Sequence, residues 1–337
     1  MVCGDVINDV LVKPLAGVTL DSDTPAAIRA RPGGAAANQA AWMAHLGAAV
    51  TFVGRVGARD EAYHRRELIR AGVRAHLAVD PEAETGSIVI MVAPDGERTM
   101  FTDRAANHRL RIQDVPARLL DDADVLHLTG YTFFEPPLLE VALWLLGQAR
   151  SRGLAVTIDP GSAAFLARLE PGAFLRWTDG AAVCFPNRDE AAVLVGEADP
   201  ATMATRLTRH YGVVALKLGG AGCVLAVPGH APVRVAAHPA RARDTTGAGD
   251  AFCGAFMSRW LQGAPDPHAA DPHADLHATE PQIADPQIAD LTSAAEFAVR
   301  VAASVVTRFG ARPTVPRYTR GAQRPGGGGE DGGLEGG

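Results

Sequence analysis

The sequence predicts an α/β fold with a mostly parallel central sheet and helices on both of its faces. Short apolar, β-branched runs alternate with longer segments rich in Ala, Leu and Arg, which is typical of strand–helix–strand units. The runs lie at 50–53, 125–128, 154–158, 181–185 and 213–218. Their continuous apolar character indicates strands that are buried on both faces of the sheet. The polar residues that follow such strands are the first candidates for a functional site.

The chain has 337 residues, of which 47% are hydrophobic, so it is long enough to bury a full core. We expect one domain over residues 1–320. Within it, residues 264–290 contain near-repeats rich in Pro, Asp and His, which predict a flexible surface insertion. Residues 321–337 are rich in Gly and are expected to form a disordered tail.

Charge and cysteine content exclude several classes of function. The formal net charge is -6 and no block of Lys and Arg occurs, so nucleic acid and anionic membranes are poor partners. No leader or membrane-spanning stretch is evident. The cysteines, Cys3, Cys184, Cys223 and Cys253, lie far apart and lack metal-ligand spacing. We therefore expect buried thiols in a cytoplasmic protein.

A hairpin interrupts the α/β rhythm at 86–103. Two extended runs flank Asp95-Gly96, a dipeptide that favours a tight hairpin turn. Together with the segment near residues 10–20, this hairpin predicts a small β-sheet that stands off the main domain as a lid. A hairpin at the edge of the main sheet would give the same pattern.

The strongest chemical signal is the string from Arg243 to Phe252, which precedes a helical run at 253–261. The small residues Gly247, Ala248 and Gly249 let the backbone approach a phosphate, and their N–H groups at a helix start can stabilise negative charge. Asp250 follows directly, where an acceptor hydroxyl would need a proton acceptor. A Gly-rich helix start with an acidic first turn is the structural alternative.

Two stretches resemble the signatures of the ribokinase-like PfkB carbohydrate kinases. Residues 244–252 (Asp-Thr-Thr-Gly-Ala-Gly-Asp-Ala-Phe) resemble the carboxy-terminal signature, and residues 33–40 (Gly-Gly-Ala-Ala-Ala-Asn-Gln-Ala) resemble the amino-terminal one. Further matches occur in family order over residues 1–318. The resemblance implies a ribokinase-like three-layer sandwich with a small β lid. It also implies transfer of the terminal phosphoryl group of ATP to a hydroxyl of a sugar or sugar-like molecule.

The resemblance implies roles for individual residues. Asp250 would be the general base, and the backbone of Gly247, Ala248 and Gly249 would form the anion hole. Asn187 and Glu190 would organise Mg²⁺, largely through water, and the phosphates of ATP. The capping of a helix by Asn187 is an alternative that is compatible with this role. The resemblance also implies that Gly219, Gly220 and Gly222 bind the nucleotide. It implies no role for Lys217.

On the acceptor side, Asp9 resembles the family's carboxylate that binds sugar hydroxyls, and Gly33, Gly34 and Asn38 match positions in the same pocket. A carboxylate and an amide suit polyols because each makes paired hydrogen bonds. The family pattern for a monovalent-cation loop, with K⁺ as the candidate ion, matches Asp244, Thr246, Arg308, Gly310 and Thr314.

The sequence leaves the acceptor open among sugars and nucleosides, although the pocket residues favour a neutral sugar. A nucleoside would need an apolar or aromatic slot that the sequence does not identify. Arg104 could face an anionic acceptor group, but we expect it to be a solvated lid residue. A homodimer through the lid is the oligomeric state under consideration. A non-catalytic sugar-binding or regulatory protein is the third hypothesis, and an intact Asp250 argues against it.

Overall fold

The computed structural model describes residues 1–92, 98–170, 172–263 and 288–313. The predicted tail, the Asp95-Gly96 turn and most of the predicted insertion lie outside the described residues. The predicted insertion spans 264–290, but a helix already begins at Ile288. That boundary is wrong because Ile288 and Leu291, three residues apart, start the apolar face of this helix.

The predicted apolar runs all form strands, and further strands occur before β8 and after β11. In chain order they are β1 (Val2–Cys3), β2 (Ile7–Pro14), β3 (Ala26–Gly33), β4 (Thr51–Gly57), β5 (Arg74–Asp80), β6 (Thr85–Val92), β7 (Arg98–Ala105), β8 (Val125–Thr129), β9 (Ala155–Asp159), β10 (Ala181–Cys184), β11 (Tyr211–Lys217), β12 (Cys223–Ala226) and β13 (Val233–Val235).

Nine of these strands form the main sheet, in the order β13-β12-β11-β10-β9-β8-β1-β4-β5. The strands from β11 to β5 in this order pair in parallel, while β12 and β13 pair antiparallel at one edge. The carboxyl ends of the parallel strands therefore lie along one rim of the sheet, which is where ligands bind in such folds.

Helices cover both faces of the main sheet. They are α1 (Ala35–His45), α2 (Glu61–Ala71), α3 (Pro136–Ser151), α4 (Ala163–Leu166), α5 (Ala173–Thr178), α6 (Arg188–Val195), α7 (Pro200–Leu207), α8 (Ala248–Gly263) and α9 (Ile288–Val305). Side chains along β11 alternate between two apolar cores, with Val213 and Ala215 in one and Val214 and Leu216 in the other. The predicted three-layer sandwich is confirmed, because a strand buried on both faces must be covered on both sides.

A second sheet of four strands, in the order β3-β2-β6-β7, stands beside the main one. It contains the predicted hairpin, since β6 and β7 pair antiparallel. The segment predicted near 10–20 is shifted, because β2 ends at Pro14 and residues 15–20 form no strand. The strand β3, which the sequence analysis did not predict, pairs with β2 instead. Its polar and exposed residues obscure the alternation by which strands are detected.

In the described part of the chain, no helix has the length and apolar character needed to cross a membrane. All four cysteines are buried as free thiols, as expected.

Candidate active site

Helix α8 begins directly after Gly247, in the segment that the sequence singled out. Gly247 has φ of +76°, and a Cβ built on it would lie 2.4 Å from the Cβ of Ala311, so a larger residue would be strained and crowded. The Ala251 N–H donates to Gly247 O at 2.8 Å, which starts the helix. The backbone of 247–249 therefore stands at the positive end of a 16-residue helix, where anions are stabilised.

Asp250 lies in the first turn of α8, and side chains of α1 hold its carboxylate. Asn38 Nδ2 donates to Asp250 Oδ2 at 3.0 Å, and Gln39 Nε2 donates to Oδ1 at 3.1 Å. Burial raises the pKa of Asp250 to about 7, although both amide hydrogen bonds lower it. A carboxylate with this pKa is suited to accept a proton near neutral pH.

Gln39 links Asp250 to residues of two central strands, β8 and β9, a role that the sequence analysis did not assign. Its Nε2 also donates to Asp159 Oδ2 at 2.7 Å, and its Oε1 contacts His127 Nε2. His127 Nδ1 contacts Thr157 Oγ1 at 2.8 Å, and burial lowers the pKa of His127 to about 4, so its ring is neutral. This buried network fixes the amide that orients Asp250.

Asp9 lies on β2 against the backbone of Gly33. A Cβ on Gly33 would lie 2.1 Å from Asp9 Oδ2, so only glycine leaves room for the carboxylate. Gly34 has φ of +93°, which lets the chain turn into α1. Burial raises the pKa of Asp9 to about 7, with the Arg312 guanidinium lowering it and the Asp250 charge raising it. The structure thus brings Asp9, Gly33 and Asn38 to one side of Asp250.

Arg312 is a pocket residue that sequence reasoning missed. Its side chain is 9% exposed; Nε donates to Asn38 Oδ1 at 3.0 Å and Nη2 donates to Gly33 O at 2.9 Å. Among the described residues its buried Nη1 has no hydrogen-bond partner. Burial lowers the pKa of Arg312 to about 10, which still leaves it charged at neutral pH. The proximity of a residue near the carboxyl terminus to Asp9 has no local sequence signal.

Arg104 is buried, which corrects the expectation of a solvated lid residue. Its guanidinium pairs with Asp5 at 3.4 Å and lies 3.8 Å from the centre of the Tyr131 ring. Asp5 also accepts hydrogen bonds from the N–H groups of Ala35 and Ala36 at the start of α1. Arg104 is buried because β7 ends against the main domain rather than in solvent. The ion pair with Asp5 and the contact with the Tyr131 ring offset the cost of burying its charge.

A cavity of about 340 Å³ lies beside Arg104, between the end of β7 and the rim of the main sheet. Its lining contains three aromatic rings and groups of both charges: Thr102, Asp103, Arg104, His108, Tyr131, Phe134, Glu135, Phe165 and Arg168. Within the described ranges, the buried His108 Nε2 has no partner. The sequence did not reveal this aromatic slot, because its residues lie on β7 or follow β7, β8 and β9 and are far apart along the chain.

Asn187 and Glu190 form a reciprocal cap at the start of α6. The Glu190 N–H donates to Asn187 Oδ1, and the Asn187 N–H donates to Glu190 Oε2, both at 2.8 Å. Burial raises the pKa of Glu190 to about 7, and the Lys217 charge lowers it. The described residues contain no group of three or more metal-ligating side chains. An amide and a carboxylate are nevertheless oxygen donors of the type that Mg²⁺ binds through water.

Gly219, Gly220 and Gly222 follow β11 in a tight turn. A Cβ on Gly222, with φ of +90°, would lie 2.0 Å from Val235 O, so this glycine allows β12 to return beside the sheet. At Gly219 and Gly220 a Cβ would meet nothing within 4 Å. These two glycines are exposed and leave open space at the rim.

The residues predicted for a cation loop come partly together. Asp244 accepts hydrogen bonds from the Thr246 N–H at 2.9 Å and the Gly310 N–H at 3.2 Å, which ties the two loop segments to each other. The Arg308 guanidinium lies 5.5 Å from the centre of the Trp42 ring, so only its backbone could face a cation in this loop. Thr314 lies outside the described residues.

Lys217, which received no role from the sequence, ends β11 and forms an ion pair with Asp159 at 3.2 Å. Asp159 ends β9, two strands away in the sheet. These residues, with Gln39 and Arg312, are what the tertiary structure adds to the site.

Fold and site together define a class of protein. A carboxylate with a pKa near neutrality stands at a helix amino terminus that can hold a phosphoryl group, beside a pocket of buried polar side chains. This arrangement is typical of a phosphotransferase that acts on a small hydroxylated molecule.

Comparison with known proteins narrows this class. Residues 1–317 match the model of the pfkB family carbohydrate kinases. The chain is 30% identical to an ATP-dependent ribose-1-phosphate kinase from Halopiger xanaduensis, over 72% of this chain and 78% of that protein. It is 28% identical to fructokinase-1 of Oryza sativa subsp. japonica, over 93% of each chain. The chain belongs to the pfkB family of carbohydrate kinases.

Solved structures show the same fold. The adenosine kinase of Sinorhizobium meliloti superposes with a TM-score of 0.76 at 22% identity, covering 93% of this chain and 95% of that one. At this identity the likeness concerns the fold alone.

Proposed function

We propose that this kinase transfers the terminal phosphoryl group of ATP to a hydroxyl of a neutral sugar. The observation that carries the proposal is the placement of Asp250, at the amino terminus of α8, between the 247–249 backbone and the Asp9 pocket. The raised pKa of its carboxylate, about 7, adds the chemistry of a base.

Asp250 accepts the proton of the acceptor hydroxyl. Asn38 and Gln39 hold its two oxygens in place, and Gln39 is itself fixed by Asp159 and His127. The carboxylate therefore loses little orientational freedom in the reaction. The N–H groups of 247–249 stabilise the negative charge on the group being transferred.

The nucleotide side fits ATP and Mg²⁺. ATP would supply the phosphoryl group, and Mg²⁺ would screen its phosphates. Gly219 and Gly220 leave space for the nucleotide, and Asn187 and Glu190 would hold the ion through water. Each oxygen that serves the α6 cap keeps a second acceptor position for that water. The name of the Halopiger relative, an ATP-dependent kinase, supports this choice of donor.

The acceptor pocket favours an uncharged polyol. Asp9 can accept a hydrogen bond from one hydroxyl, while the unpartnered Nη1 of Arg312 can donate to its neighbour. Because the charges of Asp250, Asp5 and Asp244 already act unfavourably on the Asp9 carboxylate, a further anion beside Asp9 would be repelled. The rice relative, a fructokinase by name, is consistent with a neutral acceptor, whereas the Halopiger relative is named for a phosphorylated sugar, so the acceptor is chosen on the charge of the pocket.

A nucleoside is the second candidate acceptor, because of the aromatic cavity. Asp9, Ile88 and Thr102 are register neighbours across β2, β6 and β7, and Thr102 lines the cavity. Two strand spacings separate the cavity from Asp9 by about 10 Å, within reach of a base on a bound ribose. A non-catalytic binding protein would have no use for the Asp250 arrangement.

Two finer features belong to this proposal. The loop tied together by Asp244 would bind K⁺ through backbone carbonyls behind the anion hole. The lid would form a homodimer, because its surface exposes large apolar side chains. These are Leu20, Ile28, Met100 and Phe101, each at least 59% exposed. Sedimentation analysis at micromolar concentration would reveal such a dimer.

A coupled ADP assay with ATP, Mg²⁺ and a panel of pentoses, hexoses, sugar phosphates and nucleosides tests the function. We expect the highest kcat/KM with a neutral sugar. A preference for nucleosides would establish the second candidate, and preference for sugar phosphates would overturn the charge argument. Transfer to no member of the panel would contradict the proposed function.

A further inference from the structure

Lys217 is a buried cation at the centre of the site. Its side chain is 14% exposed, and Nζ lies 3.2 Å from Asp159 Oδ2 and 3.3 Å from Oδ1. Although burial opposes its charge, the Asp159 carboxylate raises the pKa of Lys217, so it remains protonated. The chain otherwise relies on arginine for its positive charge, since Lys13 is its other lysine.

The ammonium group lies next to Gly249, one of the residues assigned to the anion hole. A Cβ built on Gly249 would be 3.7 Å from Lys217 Nζ. Through its backbone, Lys217 also meets the start of α6: its N–H donates to Pro186 O at 2.8 Å, and it forms a bridge with Asn187. The charge therefore lies between the residues assigned to Mg²⁺ and the residues assigned to the anion hole.

All three contacts that Lys217 Nζ makes with described residues are long: it donates to both Asp159 oxygens and, at 3.6 Å, to Cys253 Sγ, which is a weak acceptor. Asp159 already accepts hydrogen bonds from Gln39 Nε2 at 2.7 Å, from Gly161 N–H at 3.2 Å and from Cys253 Sγ at 3.3 Å. The contacts of Nζ with Asp159 exceed the 2.7–2.9 Å usual for a charged pair. An ammonium has three donors, so a loosely held one can turn toward an incoming anion.

We propose that Lys217 supplies a positive charge to the anion hole and donates a hydrogen bond to the phosphoryl group during transfer. This inference rests on the proposed function. The acceptor oxygen bonds to phosphorus while the bond from phosphorus to the leaving nucleotide oxygen breaks, and the acceptor proton passes to Asp250. Lys217 keeps its protons throughout. A compact ammonium suits this confined place better than a planar guanidinium.

The structural alternative is that Lys217 merely neutralises Asp159. A double-mutant comparison separates the two roles, using Lys217→Met, Asp159→Asn and the pair together. If Lys217 acts on the phosphoryl group, the double variant should turn over roughly a hundredfold more slowly than Asp159→Asn, the usual cost of losing one such donor. The KM for the acceptor should stay within a few-fold, since Lys217 does not face that pocket.

Equal turnover of the double variant and Asp159→Asn would overturn the inference. Wild-type inactivity toward every acceptor would instead contradict the proposed function, so the two failures differ. Circular dichroism and thermal melting establish that each variant is folded. Lys13→Met, at an exposed position on β2, is the matched control and should retain wild-type turnover.

A second test of the role of Lys217 uses the unmutated protein, so its result depends neither on turnover nor on the folding of a variant. Selective isotope labelling of lysine side chains gives signals from Lys13 and Lys217. A non-hydrolysable ATP analogue with Mg²⁺ should move the Lys217 Nζ signal and leave the Lys13 signal in place. An unmoved Lys217 signal, with calorimetry showing saturation by the analogue, would refute direct contact with the phosphate.

Discussion

The proposed acceptor side and the proposed nucleotide side of the site are built in different ways. On the acceptor side, buried charged side chains converge: Asp9 and Arg312 face each other across the Gly33 backbone, close to Asp250. On the nucleotide side, exposed glycines present backbone and open space, and the Asn187 and Glu190 side chains bind each other. We therefore expect single side chains to control acceptor recognition and the shape of the backbone to control nucleotide binding.

The largest effect is expected at Asp250, where the two sides meet. Asp250→Asn keeps the size of the side chain but cannot accept a proton. Turnover should fall by roughly a hundredfold to ten-thousandfold, the range for a positioned general base. Calorimetry should show that ATP and acceptor still bind. Glu140→Gln, an exposed carboxylate on α3, is the control. A variant within a few-fold of wild-type turnover would falsify the mechanism.

The pH dependence of the reaction tests whether Asp9 and Asp250 must both be ionised. Asp9 and Asp250 both have a pKa of about 7 and are both proposed to act as carboxylates, so kcat/KM for the acceptor should fall as the pH drops below 7. Because protonation of either group is inhibitory, the fall should approach about a hundredfold per pH unit in acid. In Asp9→Ala it should be only about tenfold per unit. A flat profile between pH 5 and 8 would contradict both assignments.

Asp9→Ala should act selectively on the acceptor. Loss of a hydrogen bond to a charged group corresponds to roughly 1.5–3 kcal/mol, which raises the acceptor KM by about ten- to a hundredfold. The KM for ATP should not change. Lys13→Ala, on the same strand but exposed, provides the baseline. If the acceptor KM were unaltered, the acceptor pocket would have to lie elsewhere.

Substitution of a crowded glycine on the proposed nucleotide side should change the free energy of unfolding and leave acceptor binding unchanged. Gly222→Ala places a Cβ 2.0 Å from Val235 O at φ of +90°, so unfolding in urea should show a loss of about 1–3 kcal/mol. Gly220→Ala meets nothing within 4 Å and should change the unfolding free energy by less than about 0.5 kcal/mol. Neither should alter the acceptor KM. Equal stability of the two variants would show that the turn relaxes.

The smallest effect concerns the cation loop. With Mg²⁺ fixed, turnover should rise a few-fold when K⁺ replaces Na⁺ or choline, because a bound cation would strengthen the field of the anion hole. The ionic strength is held constant by exchanging chloride salts. Identical rates in the three salts would remove the proposed roles of Asp244, Thr246, Arg308 and Gly310.

Some parts of the molecule were determined by local sequence. The strands from β8 to β11 could be read directly, because a strand buried on both faces is an uninterrupted apolar run. The turn before α8 could also be predicted, since Gly247 has a backbone conformation that few other residues permit. In both cases, the physical requirement falls on neighbouring residues, so it leaves a contiguous pattern.

Other parts were decided only by the tertiary structure. The strand β3 carries no apolar alternation and is defined by its pairing with β2. Arg104 reads as a solvated residue until β7 is seen to end beside Asp5 and Tyr131. The contact of Arg312 with Asn38 joins positions 274 residues apart, and the pair formed by Asp159 and Lys217 joins the ends of two different strands. Burial and Coulomb interactions act through space, so the sequence alone could not show which of its charges would meet.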